Sequence, residues 1–218
     1  MTEKKHIIDK AGLMAEWDWE KNNEFGFDPS KLTCGSSKKV WWVCARGHEW
    51  EAKILNRYMG NGCPYCSGQR VLKGYNDLQT INSSLSNEWN YEKNNGLTPK
   101  NFLPNSNKKV WWKCSEGHEW EATINNRNKG NSCPFCTGKK ALDGFNDLQT
   151  TNKFLVEEWN YKKNGELLPS NVTAGSGKKV WWKCRNCGHE WAAIIHNRSR
   201  GKGCPKCARL KKQHKVFV

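Results

Sequence analysis

The sequence predicts a small α+β fold in which one ββα-like unit is laid down three times along the chain. Three observations predict it: an internal period of 70 residues, a strand–turn–strand pattern inside each period, and a composition poorly suited to one large core. The strings KKVWWVC, KKVWWKC and KKVWWKC end at Cys44, Cys114 and Cys184, a step of 70 residues each time. GHEW recurs at Gly47–Trp50, Gly117–Trp120 and Gly188–Trp191, and Cys-Pro-x-Cys at Cys63–Cys66, Cys133–Cys136 and Cys204–Cys207. Asn-Arg pairs end at Arg57, Arg127 and Arg198, and NDLQT recurs at Asn76–Thr80 and Asn146–Thr150. Twelve of the 13 tryptophans keep the same period, and Trp19 falls where the later copies have Tyr91 and Tyr161. The boundaries fall beside Gly74 and Gly144, giving modules over residues 1–73, 74–143 and 144–218.

Each element follows from its residues. Leu13 and Trp17, Leu85 and Trp89, and Leu155 and Trp159 are spaced i,i+4, as on one face of a short helix. Asp77 and Asp147 are suited to cap such helices. A polar loop with Pro29, Pro99 or Pro169 comes next. KKVWWKC then reads as a strand, Gly-His as a tight turn and EWEAxI as the returning strand. A Gly-bearing loop leads to Cys-Pro-x-Cys, where proline suits the first turn of a helix.

Hydrophobic residues are only 36% of the chain and the mean hydropathy is −0.90. Modules this small need a staple beyond their apolar core. The N-terminal MTEKKHIIDK has no apolar run of the signal-peptide kind, and no stretch is long enough for a membrane span. That points to an intracellular protein, cytoplasmic or nucleoid-associated, where clustered cysteines bind metal. The first two units share C-x3-H-x14-C-x2-C: Cys44, His48, Cys63 and Cys66, then Cys114, His118, Cys133 and Cys136. The third reads C-x2-C-x16-C-x2-C: Cys184, Cys187, Cys204 and Cys207. Two close pairs of soft ligands separated by a hairpin's length of chain match a closed tetrahedral zinc site, so three structural Zn2+ ions are expected. His189 aligns with His48 and His118 but is surplus once Cys187 is present, and Cys34 is left over.

Taken together, KKVWWKC, GHEW, Asn-Arg and CPxC, preceded by NDL and EW, resemble a treble-clef zinc-ribbon family. Its modules occur in tandem arrays and fused to nucleases of the very-short-patch-repair type. The resemblance implies a zinc-knuckle hairpin followed by a short helix carrying the last two ligands. It also implies association with nucleic acid.

Charge points the same way. The net charge is +15, from 36 Lys+Arg against 21 Asp+Glu. Ten thiolates remove ten charges and three dications return six, leaving about +11. Such a surface attracts polyanions. Strand alternation puts Val40 and Trp42 on the face of Cys44, towards the core, and Lys39, Trp41 and Val43 on the other. The candidate contacts are Lys38, Lys39, Lys108, Lys109, Lys178 and Lys179 at the strand starts, with Arg57, Arg127 and Arg198 read as loop residues. Cross-strand pairing with Glu49 and Glu51, or Glu119 and Glu121, would instead neutralise the row. Arg209, Lys211, Lys212 and Lys215 read as a flexible basic arm.

The expected function is non-enzymatic nucleic-acid binding, with DNA favoured over RNA. The alternatives are a protein-binding scaffold or inhibitor and a nuclease of HNH-like or restriction type. Glu51-x-Lys53 mimics part of a restriction-nuclease motif, but Thr123 and Ile194 replace that lysine in the other units.

Overall fold

The Lys-Lys-Val-Trp-Trp strings alternate bulky apolar side chains along one face, and they form strands. The structure, a computed structural model, describes residues 5–214. Strands β1 (Lys39–Val43) and β2 (Glu49–Lys53), β3 (Lys109–Lys113) and β4 (Glu119–Thr123), and β5 (Lys179–Lys183) and β6 (Glu190–Ile194) make three two-stranded sheets. Contacts divide the chain into two compact units, Met1–Val110 with Thr123–Asn128 and Trp111–Ala122 with Lys129–Val218. The first repeat lies whole in the former and the third repeat whole in the latter.

In the first unit, β1 and β2 pair antiparallel with Trp42 opposite Trp50. Val40 and Trp42 are fully buried, as the alternation requires. They form a core with Ile7, Leu13, Trp17, Trp50 and Ile54. Trp17 meets Trp42 edge to face at 5.6 Å, and the Trp42 indole N–H donates to the Ala52 carbonyl at 3.1 Å. A core this small relies on indoles because each buries a large area at a preferred ring geometry. One further side chain seals the outer edge of β1. The Asn22 amide donates to the Trp41 carbonyl and accepts from the Trp41 N–H, at 2.8 and 2.9 Å. In the second unit β5 and β6 repeat this plan around Trp159, Val180, Trp182 and Ile195, with Asn164 clamping Trp181 in the same way.

Four expectations are corrected here. The first helix, Ala11–Met14, contains Leu13 but stops before Trp17, because Trp17 bridges backbone to backbone with Trp42. Likewise the helices Ser83–Ser86 and Lys153–Val156 contain Leu85 and Leu155 but not Trp89 and Trp159. Asp77 and Asp147 do cap helices, but those of Leu78–Ile81 and Leu148–Thr151, one helix earlier. Burial raises their carboxyl pKa values, but bonds from the Thr80 or Thr150 hydroxyl and backbone N–H groups outweigh it and hold them low. Arg209–Lys212 lie on the helix Pro205–His214 rather than on an extended arm, and Lys215 lies outside the described residues.

The fourth correction concerns the arginines. Arg57, Arg127 and Arg198 sit on short helices, Ile54–Tyr58, Ile124–Asn128 and Ile195–Ser199, and are 8%, 5% and 6% exposed. The Arg57 guanidinium lies between Trp42 and Trp50, 5.4 and 5.5 Å from the ring centres. It donates to the Glu16 carboxylate and the Asn61 carbonyl. Arg198 lies between Trp182 and Trp191, 5.2 and 5.1 Å away, and donates to Glu158 and the Lys202 carbonyl. Arg127 pairs with Glu88. These side chains serve the fold and are not available to a polyanion. Removing one partner of a buried ion pair strands the other charge, at about 3–5 kcal/mol. Arg198→Ala is therefore expected to lower the unfolding free energy of its repeat by about that much in urea titration, and Arg198→Lys to recover only part of it, since an ammonium lacks the planar fork.

Candidate metal centres

Each centre is assembled from a strand end and a knuckle. β1 delivers Cys44, and the chain reverses through a tight turn in which Gly47 N–H donates to the Cys44 carbonyl at 2.8 Å and Cys44 N–H to the His48 carbonyl at 3.0 Å. Gly47, Gly117 and Gly188 hold φ of +77°, +78° and +66°, a region that penalises any Cβ. The second ligand pair lies on a closed turn, with Ser67 N–H donating to the Cys63 carbonyl at 3.0 Å. In the first two repeats Cys-Pro-x-Cys stays a turn. In the third it opens the helix Pro205–His214, as proline at the first helical position favours.

The three tetrads are Cys44, His48, Cys63 and Cys66; Cys114, His118, Cys133 and Cys136; and Cys184, Cys187, Cys204 and Cys207. Within each, the candidate ligand atoms all lie within 4.8 Å of one another. A tetrahedral zinc with bonds of about 2.3 Å to sulfur requires edges of about 3.8 Å between sulfurs. The Cys44–Cys66 and Cys114–Cys136 Sγ separations are 3.8 Å, and those of Cys184–Cys207 and Cys187–Cys204 are 3.7 Å. The His48 Nδ1 atom lies 3.5, 3.2 and 3.7 Å from the sulfurs of Cys44, Cys66 and Cys63. His118 repeats this at 3.5, 3.2 and 3.8 Å from Cys114, Cys136 and Cys133. Each tetrad is thus a site for one structural zinc ion, with four protein ligands filling the coordination shell.

The thiols also demand a cation. Burial pushes Cys184 up, but N–H groups of Cys187 and Asn186 and the thiols of Cys187 and Cys207 outweigh it and bring it down to about 7. The first thiolate of the cluster is therefore easily formed. The last is not: hydrogen bonding with the Cys187 and Cys184 sulfurs pushes Cys207 up to about 12, and burial with Cys133 and Cys114 pushes Cys136 up to about 12. Four thiolates share one site at neutral pH only when a dication compensates them.

Residues outside the tetrads are also placed. His189 stacks flat on Trp191, with centroids 6.1 Å apart and planes 2° apart. Cys34 is 3% exposed in the first core, its thiol 3.5 Å from the His6 carbonyl. The six strand-start lysines, Lys38, Lys39, Lys108, Lys109, Lys178 and Lys179, are all exposed. The outer tryptophans are partly covered: Lys21 lies 4.4 Å over Trp41 and pairs with Glu49, and Lys163 lies 4.2 Å over Trp181 and pairs with Glu190 at 2.8 Å. With Lys113 and Glu119 at 3.9 Å, the cross-strand neutralisation weighed from sequence is present in part.

Sequence reasoning missed the residues that cover the histidine ligands. Tyr75 meets the His48 ring at 4.2 Å and Phe145 meets His118 at 4.4 Å. Beside them Asn76 donates to the Tyr65 and Arg70 carbonyls, both at 2.9 Å, and Asn146 donates to those of Phe135 and Lys140, at 2.6 and 2.9 Å. The signal was the recurrence of NDLQT with an aromatic before it, read only for its period and its capping aspartate.

Three segments, residues 13–69, 85–139 and 155–210, match the model of a family described as "Probable Treble clef zinc finger domain" and together cover more than half of the chain. A protein of Escherichia phage T5 named "Putative endonuclease" is 31% identical over 110 residues, 49% of this chain and 35% of that protein. The "SPbeta prophage-derived uncharacterized protein YomD" of Bacillus subtilis (strain 168) is 29% identical over 182 residues, 79% of this chain and 58% of that protein. The chain therefore spans about a third of the length of the first relative and less than two thirds of that of the second.

Metal analysis of the folded protein is expected to return three zinc ions per chain. His48→Ala should lose one, and His189→Ala should keep all three. Zinc binding displaces thiol protons, so affinity should fall as pH falls. A zinc-release titration followed with a chromophoric chelator should show loss on acidification and none between pH 7 and 9.

Proposed function

We propose that this chain, which belongs to the treble-clef zinc-finger family that all three of its repeats match, is a non-enzymatic, zinc-dependent nucleic-acid-binding protein acting on duplex DNA. The observation that carries this reading is the pair of exposed lysines at the mouth of every hairpin: Lys38-Lys39, Lys108-Lys109 and Lys178-Lys179. Each pair stands on a frame stapled by four metal ligands, so it is presented with little loss of backbone freedom on binding. Zinc in this reading is structural, and the chemistry of association belongs to the lysines, which place point charges opposite phosphates. The buried arginines contribute only by holding the frame. The site of action is intracellular, at the nucleic acid itself.

The name of the phage relative favours a second reading, a nuclease, but the covered segment is 35% of that protein. Of the three histidines at the hairpin turns, His48 and His118 belong to tetrads, and the third, His189, lies flat on Trp191. We therefore assign the three repeats to binding.

A mobility-shift titration tests both readings. Six phosphate contacts give a slope of log K against log salt of about −5. Lys39→Ala, Lys109→Ala and Lys179→Ala combined should flatten it by about 3 while keeping three zinc ions. Absence of binding to DNA and RNA at low salt would sink the binding reading. Magnesium- or manganese-dependent cleavage that tracks the purified protein would replace it with the nuclease.

A further inference from the structure

The joints between successive repeats are built, and one of them forms a cleft. In the second compact unit the knuckle loop of the second repeat, Gly138–Ala141, faces the loop Asn171–Lys178 of the third across a space of about 640 Å³. The walls are held together. Thr173 Oγ1 donates to the Gly138 carbonyl at 3.1 Å, and Leu148 N–H to the Val172 carbonyl at 2.7 Å. The lining includes Lys139, Lys140 and Lys178 and no carboxylate. All three lysines are exposed, and none has an ion-pair partner among the described residues. One wall is the run Gly175-Ser176-Gly177, where the absence of bulk lets a ligand approach the backbone. The Ser176 hydroxyl is fixed there by accepting from the Lys178 N–H at 3.2 Å.

The first compact unit carries the cations and the backbone tie of this joint one period earlier, with Asn105-Ser106-Asn107 in place of the glycine-flanked serine. Arg70 and Lys108 occupy the positions of Lys140 and Lys178 one period earlier, and both are exposed. Ser106 accepts from the Lys108 N–H at 3.2 Å, and Leu78 N–H donates to the Phe102 carbonyl at 2.8 Å. A cationic cleft with a small-residue wall and no acid in its lining, with cations at the matching positions of the preceding joint, fits a chain of regularly spaced anions. We propose that the joint between the second and third repeats is a groove for the sugar–phosphate backbone of a polynucleotide, gripped by Lys140 and Lys178, with Arg70 and Lys108 offering the same two cations at the preceding joint. This rests on the nucleic-acid reading above and gives it a location, away from the zinc ligands.

The test compares two variants of equal charge in the full zinc-loaded chain. One is Lys140→Ala with Lys178→Ala. The other is Lys153→Ala with Lys162→Ala, two exposed lysines outside the cleft. The groove variant should weaken binding to duplex DNA on the order of thirtyfold at about 0.15 M salt and flatten the salt slope by about 2. The control should stay within about threefold of the parent, and both should hold three zinc ions. Equal weakening by the two variants would overturn the groove while leaving nucleic-acid binding standing. A parent chain that binds no nucleic acid would overturn both. Inorganic phosphate separates a single-anion pocket from a backbone groove: it should act only through ionic strength, and displacement of duplex by phosphate at low concentration would overturn the groove.

Discussion

The guanidinium packed against two indoles is the contact on which the first and third repeats depend. Arg57 ties together three parts that are distant in sequence: the N-terminal segment through Glu16, the hairpin through Trp42 and Trp50, and the approach to the knuckle through the Asn61 carbonyl. Arg198 does the same with Glu158, Trp182, Trp191 and the Lys202 carbonyl. The knuckle brings two of the four metal ligands, so the geometry of the zinc site is set in part by an arginine that never touches it. Only a planar cation with donors on two edges can meet a carboxylate and a carbonyl while presenting both faces to aromatic rings.

The metal sites were legible in the sequence because their chemistry is carried by spacing. Cysteine and histidine at short fixed separations, with glycine in the turn between them, leave few other interpretations, and even the exchange of His189 for Cys187 could be read from one inserted residue. The strands were legible through the alternation that buries Val40 and Trp42. The arginines were misread because burial is not a local property. A cation among glycines and lysines looks solvent-facing until the partner, Glu16 for Arg57, some 40 positions upstream, is seen to fold back onto it. Trp17 was misread for a related reason: its i,i+4 spacing from Leu13 suits a helix, but pairing with Trp42 in another segment wins over local periodicity.

The histidine ligands make sense together with the joints. In the first two repeats the imidazole at the metal is covered by the first aromatic of the following segment, Tyr75 or Phe145. After Cys207 the described chain continues as a helix instead of turning into an Asn-Asp-Leu segment, and that helix carries no such aromatic among the described residues. There the ligand is Cys187, a smaller group with no ring to cover, and the orphaned His189 finds its own stacking partner in Trp191. The choice of ligand in each repeat thus matches what the chain places next to it.

The asparagine clamp on the first strand has a further consequence. A chain carrying three hairpins of nearly the same sequence contains its own most dangerous mispairing partners, since any Lys-Val-Trp-Trp strand could add to the free edge of another copy during synthesis or in a crowded cell. Asn22 and Asn164 lie along that edge with both amide groups engaged, and the backbone of residues 16–18 occupies the rest of it in the first repeat. The first and third copies thus close this edge with residues from their own repeats. Each of these modules therefore carries with its hairpin the means to keep that hairpin from exchanging strands with its relatives.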